Sequence, residues 1–231
     1  MHRNDAEPIA IAVLARAPLP GIAKTRLIPA LGGEGAASLH ALMMRRAVET
    51  ACAAAIGPVT VWATPDPTHP AFAALTARFG VGVASQPPGD LGSRMHAAFV
   101  ARSPALVIGT DCPALTPAHL QQSAAVLREG GRAVLIPAED GGYVLIGLRR
   151  PLRAMFDHLA WGTPTVMAET RARMVRNGLS WRELPPLWDV DRPEDLTRLP
   201  SIPDFAPAHP GGFEIACVRE ARDPSTNPGV A

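Results

Sequence analysis

Two cations open the chemistry of this chain. Lys24 and Arg26 lie in the loop Ala15-Arg16-Ala17-Pro18-Leu19-Pro20-Gly21-Ile22-Ala23-Lys24-Thr25-Arg26-Leu27. Such charges can neutralise phosphate oxygens, and Arg offers a bidentate fork. Gly21, at a Pro-Gly bend, lets backbone approach a ligand closely. The other reading is a surface turn with two solvated charges. The segment is not a P-loop, because Ala23 and Pro18 stand where that motif needs glycines.

The acids come later in the chain. Asp111, in Gly109-Thr110-Asp111-Cys112-Pro113, suits a hard cation held by one or two carboxylates plus substrate phosphate oxygens. Alternatively it caps the following turn. Asp189-Val190-Asp191 places two carboxylates on one edge of an extended segment. Asp191 is the candidate for a second metal contact, or else a cap on the helix start Arg192-Pro193-Glu194. Arg94, in Asp90-Leu91-Gly92-Ser93-Arg94, is either an anion contact at a helix N-terminus or a solvated charge. Asp140, or Glu139 beside it, is either a base next to flexible glycines or part of a hairpin turn. Cys112 has no histidine in a recognisable pattern and reads as a small buried residue. Trp161 opens a capped helix start; stacking on a base or sugar is the lesser alternative.

These residues need strands and helices to hold them. Ile9 to Leu14 is a continuous apolar run and reads as a buried first strand, so the cationic loop leaves its carboxyl end. That is where open α/β sheets bind ligands. The pattern then predicts a helix over 33–55, a strand over 59–63, a helix over 71–79 and a weak strand over 81–84. A helix over 91–102 follows, with Met95, Ala98 and Phe99 inward. Residues 105–109 form the central strand, apolar throughout, and Thr116-Pro117 starts a helix ending near Arg128. Strands over 133–137 and 143–148 form a returning, antiparallel pair. Helices over 164–177 and 193–199 complete the pattern. Strands separated by helices through the first 130 residues argue an α/β fold with a mostly parallel, doubly wound sheet. Residues 1–200 are expected to form one domain. Residues 201–231, rich in Pro and Gly, are expected to be a loosely packed or disordered tail.

Bulk properties narrow the partners. A formal net charge of +1 and 5% aromatics disfavour nucleic acid. The three cysteines are widely separated with no CxxC pair, so neither a disulfide framework nor a thiolate zinc site is expected, and a reduced cytoplasmic location is. No apolar stretch approaches the length of a membrane span, and the N-terminal run lacks the features of a signal peptide.

The motifs, in this order, resemble the nucleotide-diphospho-sugar transferase superfamily, the GT-A fold of glycosyltransferases and sugar-phosphate nucleotidyltransferases. Within it the chain is most similar to the transferase 1 family associated with radical-SAM and selenium domains, formerly DUF2064. Some of its members are called glycosyltransferases of arsenosugar biosynthesis. The resemblance runs from about Ile9 to Leu199. It rests on Ala17 to Leu27, Gly89-Asp90-Leu91-Gly92-Ser93-Arg94-Met95, Gly109 to Pro113, Asp140-Gly141-Gly142-Tyr143 and Asp189 to Leu196.

It implies a nucleotide or nucleotide-sugar donor at the carboxyl edge of the N-terminal half-sheet and a small-molecule acceptor. Ala15, Arg16, Gly21, Lys24, Arg26, Arg94 and Thr110 would line the nucleotide and its phosphates. Asp111 matches the superfamily's metal aspartate and would bind Mg²⁺ or Mn²⁺. Asp191 matches the later metal-contacting carboxylate of the nucleotidyltransferase branch. Lys24, Asp111 and Asp140 are the candidate catalytic groups. One departure bears on the reaction. Glycosyltransferases of this fold usually carry an Asp-x-Asp triplet, whereas Thr110-Asp111-Cys112 has one acid, as the nucleotidyltransferase branch does. Glycosyl transfer and nucleotidyl transfer therefore both stand.

Overall fold

The computed structural model describes residues 7–205. The chain divides into two compact units, Met1–Ala17 with Ala41–Asp189, and Pro18–His40 with Val190–Ala231.

The first unit contains one seven-stranded sheet. Its strands are β1 (Ala10–Arg16), β2 (Val59–Thr64), β3 (Gly82–Ser85), β4 (Ala105–Ile108), β5 (Ala133–Pro137), β6 (Tyr143–Leu148) and β7 (Trp181–Glu183), in the order β3-β2-β1-β4-β6-β5-β7. Pairing is parallel from β3 through β4 and between β5 and β7, and antiparallel on both sides of β6. Only β6 is reversed. The carboxyl ends of β1 to β5 therefore share one edge, and Arg16, Gln86, Gly109 and Ala138 all leave from it. That is the mostly parallel α/β sheet with an antiparallel pair that the hydrophobic pattern predicts.

Helices α2 (Pro70–Phe79), α3 (Leu91–Ala101), α4 (Pro117–Arg128) and α5 (Val166–Arg176) belong to this unit. Strand alternation sends Ala10, Ala12, Ala105, Val107 and Leu135 into a cluster with Met95, Ala98 and Phe99 of α3 and Met167 and Met174 of α5. Phe99 is fully buried, and a side chain of this size contributes about 1.5–3 kcal/mol on burial. Gly147 lets β6 lie close to its neighbours. A Cβ there would sit 2.6 Å from Leu106 Cδ2 and from Val134 Cγ1.

Helix α1 (Ile28–Ala53) passes from one unit to the other between His40 and Ala41. It starts earlier than the pattern suggests and is broken at Gly32 (φ 69°), so the regular periodicity begins only after the break. The strand β7 has no counterpart in the sequence reading. It is three residues long, holds two charged side chains and pairs on one side only, so no alternation marks it. The second unit includes short 3-10 turns at Thr25–Leu27, Pro193–Ser201 and Pro203–Phe205, where Phe205 is buried. Beyond Phe205, the expected tail and Cys217 lie outside the described residues.

Candidate active site

In the first unit the site gathers at the shared carboxyl edge. Thr110 follows β4, is buried, and donates its hydroxyl hydrogen bond to Asp111 Oδ1 at 3.2 Å. The loop behind them is pinned by Arg46 of α1, whose Nε donates to the Pro113 carbonyl at 2.8 Å. Burial pushes the Cys112 thiol up to about 12, and the nearby negative charges of Asp189 and Asp111 add to it. A thiol held protonated in this way is a packing residue and a poor nucleophile. The charges of two carboxylates, Asp111 and Asp189, are thus near enough to be felt at this one side chain.

Asp189 reaches this position because its segment runs beside β5. Leu187 N–H donates to the Pro137 carbonyl at 3.0 Å, and Glu139 N–H to the Leu187 carbonyl at 3.1 Å. Asp140 follows directly. Its Oδ1 accepts from Gly142 N–H at 2.9 Å, the Asx turn of a tight hairpin, and the side chain is exposed. Gly141 is obligatory there: its φ is +94°, and a Cβ would stand 2.2 Å from the Pro164 carbonyl oxygen. Tyr143 lies edge-on to Trp161, and burial pushes its phenol well up. Trp161 is thus half-buried, packed against the core of this unit.

Asp90 caps α3 by accepting from Ser93 N–H at 2.8 Å, and these Ser93 hydrogen bonds hold its carboxyl below the usual range. One helical turn on, Arg94 Nη1 donates to Gln86 Oε1 at 3.4 Å. Gln86 in turn donates its amide to the Ala15 carbonyl at 3.2 Å and the Trp62 carbonyl at 2.6 Å. Arg16 ends β1 as an exposed residue beside this stitch.

In the second unit the cationic loop turns at Gly21 (φ 76°), where Ile22 and Ala23 N–H groups donate to the Leu19 carbonyl. Lys24 adopts a left-handed conformation (φ 50°) at the start of the 3-10 turn, and its ammonium donates to the Val190 carbonyl. Arg26 is ion-paired with Asp191. The capping role considered for Asp191 belongs instead to Asp195, whose Oδ2 accepts from Asp191 N–H at 2.9 Å and Arg192 N–H at 2.7 Å.

The candidate residues thus fall into groups. Thr110 and Asp111 are joined, with Asp189 near them. Arg94 is linked to Ala15 through Gln86. Lys24 and Arg26 are joined to residues 190 and 191. Asp140 stays within its own turn. Sequence reasoning missed Gln86 and Arg46. The signal for Gln86 was a lone amide between a strand end and the Pro87-Pro88-Gly89 bend; for Arg46 there was none, since it looks like any helix-surface charge. Among the described residues no group of three or more His, Cys, Asp or Glu side chains could hold a metal ion. Among them, too, no helix is long and apolar enough to cross a membrane.

Known proteins share this architecture. A provisionally assigned nucleotide-diphospho-sugar transferase of Desulfovibrio desulfuricans G20 is 28% identical, with a TM-score of 0.75 over 91% of this chain and 94% of that one. A nucleotidyl transferase of Methanothermobacter (18% identity, TM-score 0.59, 83% and 96% covered) shares the fold. So does a cytidylyltransferase of Leptospira borgpetersenii (15%, 0.55, 93% and 94%). No curated protein matches the sequence. The profile of the family described as "Uncharacterized protein conserved in bacteria (DUF2064)" matches residues 47–163, which include the strand end and turn carrying Thr110 and Asp111 and the hairpin of Asp140. The chain belongs to the DUF2064 family and has the fold of the nucleotide-diphospho-sugar transferases.

Proposed function

We propose that this protein is a metal-dependent transferase that uses a nucleotide-activated donor, and that it transfers a glycosyl group from a nucleotide-sugar. The observation carrying this reading is the likeness to the Desulfovibrio protein across nine-tenths of both chains, at an identity that reaches beyond fold. The groups described above support it. Asp111 and Asp189, both close enough to Cys112 for their charge to act on its thiol, are hard oxygen donors of the kind that hold Mg²⁺ or Mn²⁺ together with substrate phosphate oxygens. Such an ion, when bound, would stabilise charge on a departing diphosphate.

Asp111 and Asp189 would hold the ion, and Thr110 would orient Asp111. For Asp191 to serve as a ligand it would first have to leave Arg26. In the second unit Lys24 and Arg26, with the turn at Gly21, and in the first unit Arg94, with Ala15 and Arg16, are the groups suited to donor phosphates. An acceptor hydroxyl would attack the anomeric carbon, the bond from that carbon to the diphosphate oxygen would break, and the hydroxyl proton would pass to Asp140. These are electrostatic devices and need no protein nucleophile.

A second reading is nucleotidyl transfer. It is favoured by the single acid of Thr110-Asp111-Cys112, where glycosyltransferases of this fold usually have two. In that reaction a substrate phosphate oxygen attacks the α-phosphorus of a nucleoside triphosphate and pyrophosphate leaves. The two are separated by incubating the protein and Mn²⁺ with UDP- and GDP-sugars and, separately, with each triphosphate. Release of nucleoside diphosphate from a sugar donor supports the first reading. Pyrophosphate release from a triphosphate, with intact sugar donors, overturns it in favour of the second. No thermal shift with any nucleotide, with or without Mn²⁺, overturns both.

A further inference from the structure

We infer that Gln86 is a positioning residue that aims Arg94 at the anionic part of the donor. This rests, for its ligand, on the function proposed above. Gln86 follows β3, and its backbone N–H continues the ladder by donating to the Ala63 carbonyl at 2.9 Å. Its side chain then crosses the sheet edge, and both amide protons are taken by carbonyls, those of Ala15 and Trp62. This fixes which way the amide points. The flipped arrangement would set its oxygen against two carbonyl oxygens, so Oε1 must face away from the strands. It faces Arg94 Nη1, at 3.4 Å.

Arg94 is otherwise sparsely used. Its Nε is buried with no hydrogen-bond partner, and among the described residues no carboxylate is paired with it. A guanidinium carries five donors, and here one neutral acceptor orients the group and leaves its charge uncompensated. A neutral amide is the right partner for that purpose. A carboxylate in its place would hold the cation so strongly that an incoming phosphate would have to compete with it. Gln86 thereby locks three strand ends and one helical arginine into a single arrangement, and does so before any ligand arrives. Binding then costs less ordering of a long, flexible side chain.

Two substitutions separate this role from simple strand stitching. Gln86→Lys keeps donors for the Ala15 and Trp62 carbonyls but removes the acceptor facing Arg94. Gln86→Leu removes both. Two measurements apply. Arginine side-chain N–H NMR, with the Arg94 Nε signal identified by its loss in Arg94→Lys, needs no ligand. Titration with UDP, CDP, GDP and pyrophosphate, with and without Mn²⁺, reads the consequence.

We expect a sharp, exchange-protected Arg94 signal in the unmodified protein and a broadened or lost one in Gln86→Lys. The best of the four probes should bind about tenfold more weakly in Gln86→Lys, with no further loss when Arg94→Ala is added. If Gln86→Lys leaves the signal and affinity unchanged while Gln86→Leu merely lowers thermal stability, the residue only stitches strands and the proposal fails. If the signal changes as expected but no probe binds the unmodified protein, the orienting link stands, whereas the donor reading and the aim assigned to Arg94 are overturned. If Arg94→Ala does not weaken a probe that does bind, the aim assigned to Arg94 fails while the donor reading survives.

Discussion

The guanidinium of Arg26 is ion-paired with the carboxylate of Asp191, which lies 165 residues further along the chain. Both side chains are substantially exposed, 62% and 38%, so water and salt screen the pair. An exposed pair contributes at most about 1 kcal/mol, which in a chain of this length shifts Tm by about 2–4 °C. Asp191→Asn should therefore lower Tm by no more than that in differential scanning calorimetry. Arg26→Ala should leave Tm similarly close while weakening nucleoside diphosphate binding about tenfold, in keeping with a lost charge-assisted hydrogen bond. Undiminished affinity in Arg26→Ala would remove Arg26 from the donor site.

Asp111→Asn and Asp189→Asn address the ion. A ligand at a hundred times its Kd stabilises the folded state by about 2.7 kcal/mol, or about 5–10 °C in a chain of this size. We expect saturating Mn²⁺ with nucleotide to raise Tm by that amount in the unmodified protein. Either substitution should abolish the Mn²⁺-dependent part. A rise that persists in Asp111→Asn would refute the carboxylate assignment, and one that persists only in Asp189→Asn would return the second position to Asp191.

Gly141→Ala tests the hairpin that presents Asp140. The new Cβ would meet the Pro164 carbonyl oxygen at 2.2 Å and impose a side chain on a φ of +94°. Overpacking and backbone strain together should lower the unfolding free energy by about 2–4 kcal/mol. Urea denaturation reads this as a lower midpoint at unchanged slope. An unaltered midpoint would mean that the turn relaxes and that its glycine is dispensable.

Acid stability should depend on Glu183. The Arg171 guanidinium, bonded to both of its oxygens at 2.9 and 2.7 Å, holds this carboxyl below the usual glutamate range. A group whose pKa is lower when folded stabilises the protein above its unfolded value, ordinarily about 4.3, and that contribution disappears as pH falls through the folded value. Glu183→Gln should cost about 0.5 kcal/mol at neutral pH, the exposure of Arg171 keeping it small. The gap between the variant and the parent should begin to close near the unfolded value and vanish once the pH is below the lower, folded one. A constant gap between them at all pH values would exclude the ion pair as its origin.

The fold was largely legible because its signals are local and strong. β4, apolar at every position, could only be a central strand, and Thr116-Pro117 and Gly80 sit at helix boundaries as their chemistry demands. β7 escaped because an edge strand of three residues with charged side chains carries no period. The candidate site could be read only one residue at a time, since Lys24, Asp111 and Arg94 are conspicuous as types. Their partners were not. Gln86 bonds to residues 71 and 24 positions away, and no spacing rule reports a distance of that kind. Asp189 and Asp191 are indistinguishable by sequence spacing, yet one stands near Cys112 and the other meets Arg26.

The long separation between the cationic loop and residues 190 and 191 also sets a timetable for the ribosome. Lys24 and Arg26 emerge early, but the carbonyl and carboxylate that they grip are translated some 166 residues later. At about 5–20 residues per second, that leaves the segment waiting about 8–33 seconds for its counterpart, while the strands of the sheet are already being made. A nascent chain stalled between Glu183 and Val190 would hold every strand of the sheet and an unanchored basic arm.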